Sequence, residues 1–318
     1  MRRRRTGLCS PPTVTEMFDY SYTVAYIAAK ETSILDRETL SRVSADRSDA
    51  VRYLSQSGYG GDGKTVAEMT DKELSSLRAF VIGALPENLY RLLILPYDAH
   101  NLKVMLKCGI NGADPAPYLY DNTLIDTEIM AACCRGGEFS LISEKIAAAL
   151  DPAYDDGTLG TPFGISTEVD RAFSAQIADE ASEAPLPVRD FIAAETDGKN
   201  LLAYFRAINT GLDPETFSKL ILPGGKAPGE IFTRAYETRE EDLRQFTLGL
   251  DVHDAFAEAA DQAKISLSSA SDVLDGYIRS KLEPYRYETD SPAPVFLYFR
   301  KKTVEARAVR EAFQGGVQ

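Results

Sequence analysis

The sequence has few of the residues from which catalytic and metal sites are built. Its 318 residues include two histidines and four cysteines. His253 has Asp251 and Asp254 beside it but no second ligand at helical spacing, so a surface histidine is favoured over a metal ligand. No Ser–His–Asp, Cys–His or paired-carboxylate arrangement can be assembled. We therefore predict a chain that is not an enzyme and that holds no cofactor and no metal ion.

The cysteines are too few and too irregularly spaced to form a zinc site or a disulfide framework. They are Cys9, Cys108, Cys133 and Cys134. A chain with unpaired cysteines fits a reducing compartment, so a cytoplasmic location is predicted.

Positive charge and long apolar runs are also scarce. The chain has 48 acidic and 35 basic residues, for a net charge of −13. That balance argues against nucleic acid as a partner and against a basic anchor on anionic lipid. No run of 18 apolar residues occurs, so no membrane-spanning helix is predicted. The one basic run, Arg2–Arg5, lacks a following apolar stretch, so residues 1–16 are predicted to be a disordered leader or a start assigned too early, before Met17.

Alternating runs of valine and isoleucine are nearly absent as well, whereas apolar residues recur at three- and four-residue steps. At 44% hydrophobic, the chain can bury a substantial core. Thr70, with Glu73 three residues later, is predicted to cap a helix that continues through Val81. The stretch Leu222–Gly229 is predicted to be a linker. The sequence therefore predicts an all-α protein.

One helical pattern occurs three times along the chain. Leu92–Lys107 is followed 99 residues later by Phe191–Arg206 and a further 108 residues later by Phe299–Gln314. The polar positions of the pattern are Asp98, Asn101, Lys103 and Lys107 in the first copy, Asp197, Asn200 and Arg206 in the second, and Glu305 and Arg310 in the third. Ala308 replaces the asparagine in the third copy. Self-similarity at this spacing predicts three repeated units, at residues 17–113, 114–213 and 214–318.

The apolar positions of the three copies agree better than the polar ones. Four residues after each acid stand Leu102, Leu201 and Val309, and further apolar residues follow at seven and eight. This spacing predicts one buried stripe on each helix. The acid and the asparagine share another face, which we place near the helix start, where an acid meets the positive end of the helix dipole. Stabilisation of three helix starts is the favoured interpretation, and direct contact with a partner is the alternative.

The stretch Gly58–Thr65 matches the phosphate-loop pattern GxxxxGK[ST], which would make Lys64 a phosphate ligand and Thr65 a magnesium ligand. A phosphate loop follows a buried strand, however, and the preceding residues 49–57 have helical spacing. Nucleotide binding is therefore not predicted, and Gly58 is expected to end a helix instead.

His100 lies inside the first copy of the repeated pattern. Its counterparts in the other copies are Lys199 and Arg307, so the position accepts any base. A solvated position is predicted for all three.

Taken together, PYDAHNLKVMLK, DGKNLLAYFRAINTG and the final APVFLYFRKKTVEARAVREAF resemble segments of one known family. They are similar to the C subunit of the V-type (A-type) rotary ATPases, which is the counterpart of the d subunit in the vacuolar enzyme. The resemblance extends over nearly the whole chain from Met17 and includes the opening helix FDYSYTVAYIAAKETSIL. Two departures are Ala308, where the family usually has asparagine, and the glycine-rich run GGDGKT.

The resemblance implies a funnel of three similar helical units about a pseudo-threefold axis. It implies a non-catalytic central-stalk subunit, one copy per complex, on the cytoplasmic face of the membrane. Its partners would be the central shaft and the proteolipid rotor ring, and it would transmit torque for ion transport linked to ATP hydrolysis or synthesis. The alternative is a free-standing helical-repeat scaffold that binds soluble protein partners.

Overall fold

The computed structural model describes residues 19–36, 39–40, 50–238 and 243–314. This part of the chain contains α-helices and short 3-10 segments and no β-strand, which confirms the all-α prediction. The helices are α1 (Ser21–Glu31), α2 (Ala50–Gln56), α3 (Val66–Ala84), α4 (Glu87–Asn111), α5 (Thr127–Gly136), α6 (Glu144–Asp155), α7 (Pro162–Ser182), α8 (Leu186–Thr210), α9 (Pro214–Lys219), α10 (Gly229–Thr238), α11 (Leu243–Thr247), α12 (His253–Ala263), α13 (Leu267–Ser280) and α14 (Ala293–Gln314). The predicted leader, residues 1–16, lies outside the described residues.

The start of α3 differs from the prediction. Thr65 is the N-cap, and its side chain accepts a hydrogen bond from the backbone N–H of Glu68 at 3.1 Å. Thr70, the predicted cap, lies inside the helix, where its hydroxyl donates to the carbonyl of Val66. The prediction was wrong because Thr65–Glu68 offers the same spacing of cap and acid one turn earlier.

The glycine-rich run before α3 joins two helices. Gly58 has a φ of 72°, and the N–H of Tyr59 donates to the carbonyl of Leu54 at 2.9 Å, as expected when a left-handed glycine ends a helix. The prediction for Gly58 is thus confirmed. Thr65 is engaged as the cap of α3, and Lys64 is exposed.

The three copies of the repeated pattern lie in α4, α8 and α14, which we call the signature helices. Pro96 lies within α4, which nevertheless runs unbroken from Glu87 to Asn111. The first halves of the signature helices meet in a central core, where the rings of Phe191 and Phe296 have their centroids 5.9 Å apart. The ends of α3, α7 and α13 and the apolar face of α1 complete this core.

The second half of each signature helix enters a separate satellite core. Leu102 packs among residues of α5, α6 and α7, Leu201 among residues of α9 to α13, and Val309 beside α2 and α3. All three side chains are 0% exposed, which confirms the predicted apolar stripe. One helix therefore contributes to two cores, because its apolar stripe is longer than a single core.

The helix packing follows a cyclic order. Helix α4 packs most extensively against α7, α8 against α13, and α14 against α3; we call α7, α13 and α3 the facing helices. In each case the signature helix of one predicted unit packs on a facing helix of the next, and the third packs on the first. The boundaries at 113 and 213 and the funnel shape stay predictions.

Candidate functional site

The acids and asparagines of the signature are buried in the middle of their helices rather than placed at helix starts. Asp98 lies near the centre of α4, as do Asp197 in α8 and Glu305 in α14. With Asn101 and Asn200 they are at most 2% exposed. The helix-start interpretation was wrong, because each helix begins about three turns before its acid.

Each acid accepts hydrogen bonds from the backbone of a distant, irregular stretch of chain. Asp98 Oδ1 accepts from the N–H groups of Leu124 and Ile125 at 3.1 and 2.9 Å. The carboxylate of Asp197 accepts from the N–H groups of Lys226 and Ala227, both at 3.0 Å. These two stretches directly precede α5 and α10, so each acid secures the entry into another helix.

The asparagines complete the same attachments. Asn101 donates from Nδ2 to the carbonyl of Tyr120 at 2.9 Å and accepts from the N–H of the same residue at 2.8 Å. Asn200 repeats both bonds with Leu222, at 2.9 and 2.8 Å. A side-chain amide thus replaces a missing backbone partner for one residue of an irregular segment. We call residues 120–125 and 222–227 junction segments; the second lies in the predicted linker and is held at both ends.

In the third copy, the acid binds a segment of the first predicted unit, so the third unit is attached to the first. Glu305 Oε1 accepts from the N–H of Leu35 at 2.7 Å, which makes residues 30–35 the third junction segment. Here α1 continues to Glu31, and the N–H groups of Ser33 and Ile34 donate to carbonyls of α1. These N–H groups are therefore satisfied without a side-chain amide, and Ala308, at the position of the asparagine, lies in an apolar cluster instead.

A short motif in two of the junction segments escaped the sequence analysis. Residues 33–36 read SILD and residues 123–126 read TLID. In both, the residue before the aspartate donates its N–H to a signature acid, and the aspartate then accepts from a following N–H: Asp36 from Thr39 and Asp126 from Glu128. This recurrence could have been found from the sequence by aligning residues 33–36 with residues 123–126.

Burial sets the electrostatics of the three acids. It raises the pKa of Asp98 to about 6 and that of Asp197 to about 6, although the backbone N–H groups favour the charged form. Burial also raises the pKa of Glu305, and the adjacent Lys302 opposes that rise. Lys302 is itself buried and forms ion pairs with Glu305 and with Glu73 of α3.

The cations of the signature have different roles. Lys103 Nζ pairs with Asp170 of α7 at 2.5 Å, and Arg310, at the same offset, pairs with Asp71 of α3 at 2.7 Å. Both therefore attach a signature helix to its facing helix. Lys107 Nζ donates to Ser166 Oγ at 2.7 Å. Arg206 is exposed, and no ion pair joins it to any of the described residues.

The prediction that all three bases at the position of His100 are solvated was wrong for two of them. His100 is half-buried, and its Nε2 lies 3.1 Å from the carbonyl oxygen of Tyr118. Arg307 pairs with the buried Asp275 of α13, whereas Lys199 is exposed. The prediction holds for Lys199 alone, because only the second copy presents this position to solvent.

Arg78 is a further buried cation that the sequence analysis missed. It is 2% exposed, lies on the apolar face of α3 and forms an ion pair with Asp121 at 2.5 Å. Its guanidinium carbon lies 4.7 Å from the ring centroid of Tyr97 and 5.1 Å from that of Tyr120. A basic residue four positions after Leu74 and three before Val81, inside an apolar stripe, was the available signal.

Two other kinds of site are absent from the described residues. Within these ranges, no group of three or more His, Cys, Asp or Glu side chains is arranged to hold a metal ion. Over the same residues, no helix combines the length and the apolar character needed to cross a membrane.

Known proteins resemble this chain in sequence. The family described as ATP synthase (C/AC39) subunit matches residues 23–316. Two curated relatives, each named as the C subunit of a V-type ATP synthase and each from a strain of Thermus thermophilus, are 24% identical to this chain over 239 residues. That alignment covers 69% of this chain and 72% of each relative. The match over nearly the whole length confirms the resemblance noted in the sequence, and the chain belongs to the ATP synthase (C/AC39) subunit family.

Proposed function

We propose that this chain is a non-catalytic central-stalk subunit of a V/A-type rotary ATPase. It couples the rotating shaft to the proteolipid ring and so links ion transport to ATP hydrolysis or synthesis. Family membership supports a place in such a complex, and the relatives carry the name of its C subunit. The cyclic attachment of the three signature helices is the observation that carries the finer role.

A subunit that transmits torque has to resist twisting between the surface that contacts the shaft and the surface that contacts the proteolipid ring. Each of the three junctions combines a facing-helix contact with a buried acid bonded to the next junction segment. A buried polar group that loses its partner is costly, so each junction favours one arrangement. A body closed in this way transmits a rotation applied at one end to the other without shear between its units.

The orientation follows from the expected funnel. The shaft enters the wide end, and the narrow end rests on the polar loops of the proteolipid ring at the cytoplasmic face of the membrane. The chain is present once per complex and spans no membrane itself. Contact with these partners is distributed over many polar side chains, as expected where shape rather than one residue sets the fit.

The proposal can be tested by purifying the membrane complex through an affinity tag on this chain in a mild detergent. The expected result is that proteolipid and shaft subunits co-purify with the tagged chain. Dissociation of the peripheral stator should leave this chain on the ring.

Two results would contradict the proposal. Fractionation of the chain with the detached stator would place it on the wrong part of the motor. Recovery of the chain free of all rotary ATPase subunits would favour the free-standing scaffold instead.

A further inference from the structure

A cleft of about 500 Å³ lies where α4, α7 and α8 meet, beside the residues that follow α9. Leu92 and Pro96 line it from α4, Phe163 and Phe173 from α7, and Ile192 and Lys199 from α8. On each helix the lining residues recur at three- and four-residue steps, so three helical stripes form its walls.

The cleft is elongated along the helices. Its lining on α8 extends from Ile192 to Arg206, which at 1.5 Å per residue is roughly 20 Å. A helix of about four turns has that length. The shape suits a helical segment of another chain.

One end of the cleft is apolar and the other is cationic. Pro96 and Ile177, which are partly exposed, line the apolar end above the buried Leu92 and Ile192. Lys103, Arg206 and Lys219 lie toward the other end, where Phe163 stands 44% exposed. An apolar floor with charges at one end matches the binding mode of an amphipathic helix laid in a groove.

The charges of the cleft are only partly balanced. Lys103 pairs with Asp170, and Lys219 pairs with Glu215. Within the part of the chain that the structure describes, no carboxylate pairs with Lys199 or Arg206, which lie seven residues apart on one face of α8. In a chain with a net charge of −13, two uncompensated cations beside an apolar floor favour an acidic occupant.

We infer that this cleft binds an acidic amphipathic helix of a neighbouring subunit, with carboxylates against Lys199 and Arg206 and an apolar face on the floor near Ile177. The inference rests on the proposed function, because the rotary complex supplies the partner. A basic helix would be repelled by the two cations, and a polar helix would leave the apolar end uncovered.

The position of the occupant can be tested in the purified complex. Phe163 is replaced by p-benzoylphenylalanine, which keeps an aromatic ring at the mouth of the cleft, and the complex is irradiated. Mass spectrometry then identifies the cross-linked segment. Tyr287, which is 66% exposed outside the cleft, carries the same group in the control.

The expected product joins position 163 to a helix with acidic residues on its cross-linked side, and position 287 gives a different product or none. A product with lipid, with a second copy of this chain or with a basic or uncharged segment would overturn the inference. So would the absence of any product from position 163. Retention of the chain on the ring in those cases leaves the proposed function intact, whereas loss of the chain to the stator contradicts that function separately.

The role of the two cations is tested with the cross-linked segment made as a labelled peptide. Lys199→Glu combined with Arg206→Glu is expected to weaken its binding to the full chain about tenfold. Lys64→Glu combined with Arg189→Glu makes the same change in net charge at exposed positions outside the cleft and should leave binding within about twofold. An equal loss in both double variants would exclude a specific role for Lys199 and Arg206.

Discussion

At the scale of single residues, the buried asparagines have a structural task that leaves them little freedom to change. Asn101 satisfies both backbone groups of Tyr120, and Asn200 does the same for Leu222. An irregular segment has no helical or sheet partner for these groups, so without the amide they would lose their partners within the protein. The side-chain amide is the substitute, since it carries a donor and an acceptor side by side.

Replacing Asn101 by alanine should therefore lower the free energy of unfolding by about 2 kcal/mol, because the partly buried N–H and carbonyl of Tyr120 lose their partners. Urea denaturation followed by circular dichroism measures the loss. The matched control is Ala308→Asn in the third copy, where the backbone of α1 is already satisfied and no gain is expected. A change of less than about 0.5 kcal/mol for Asn101→Ala would show that these hydrogen bonds make no net contribution to the free energy of unfolding.

The two buried aspartates predict a pH dependence of stability. Burial raises the pKa of Asp98 and of Asp197 to about 6, above the ordinary value of 3.8. Between these values the folded chain binds more protons than the unfolded chain, so their contribution to stability is largest at low pH and is lost as the pH rises toward 6. The slope is at most about 1.4 kcal/mol per pH unit for each group.

The measurement compares the wild-type chain with Asp98→Asn combined with Asp197→Asn, by urea denaturation at several values from pH 4 to pH 7. At each pH, the unfolding free energy of the variant is subtracted from that of the wild type. Exposed carboxylates whose pKa is lowered, such as Asp213 and Asp261, stabilise the fold more as the pH rises, and the subtraction cancels this contribution because both chains contain them. The difference in unfolding free energy should shift in favour of the variant as the pH rises. A difference that is flat across this range would mean that neither aspartate has a raised pKa.

At the scale of the elements, each signature helix forms part of two apolar cores. Each begins in the central core and ends in a satellite core, so one rigid element fixes the position of two apolar clusters. The junction segments then run back across these helices at close range. Gly225 shows how close: a Cβ built there would lie 2.1 Å from Asp197 Oδ1.

Gly225→Ala should displace the Asp197 carboxylate from its two N–H donors and lower the free energy of unfolding by about 2 kcal/mol. Thermal and urea denaturation would register the change. Gly83→Ala is the control, because that glycine is exposed in α3 and an added Cβ meets no atom within 4 Å. The control should be neutral or slightly stabilising. Equal behaviour of the two variants would remove the steric argument for glycine at position 225.

At the scale of the whole molecule, the three junctions are not equivalent. The first two join a signature helix to a segment that follows it in the chain, so covalent continuity keeps the partners near each other. The third joins Glu305 to Leu35, which lie 270 residues apart. It holds together the start and the end of the chain, and it is the junction at which a buried cation, Lys302, neutralises the acid.

Lys302→Ala should open this third junction locally before the rest of the molecule unfolds. The buried Glu305 would lose its ion pair, at a cost of about 3 kcal/mol. Hydrogen exchange read by mass spectrometry should show faster exchange in α1, α3 and α14 than in the wild-type chain, with little change in α5 and α6. The matched control is Arg310→Ala at the same helix contact, where the pair with Asp71 is largely solvated and should contribute less than about 1 kcal/mol. Uniform acceleration across all helices would contradict a local opening.

The sequence by itself determined the helical class, the threefold recurrence and the family. It also determined the buried stripe of Leu102, Leu201 and Val309. All of these follow from local spacing or from likeness to other chains, and apolar spacing along a helix is fixed by the geometry of one turn. The sequence likewise identified the acids and asparagines as members of one repeated set.

Only the tertiary structure decided what those polar residues do. Their partners are backbone groups in irregular segments, about 20 to 30 residues away in the first two copies and at the opposite end of the chain in the third. A backbone N–H is present at almost every position, so the acids and asparagines of the pattern do not by themselves mark the N–H group that each one binds. The cleft of Lys199 and Arg206 was equally hidden, because its walls come from three helices whose approach is set by packing and not by spacing along the chain.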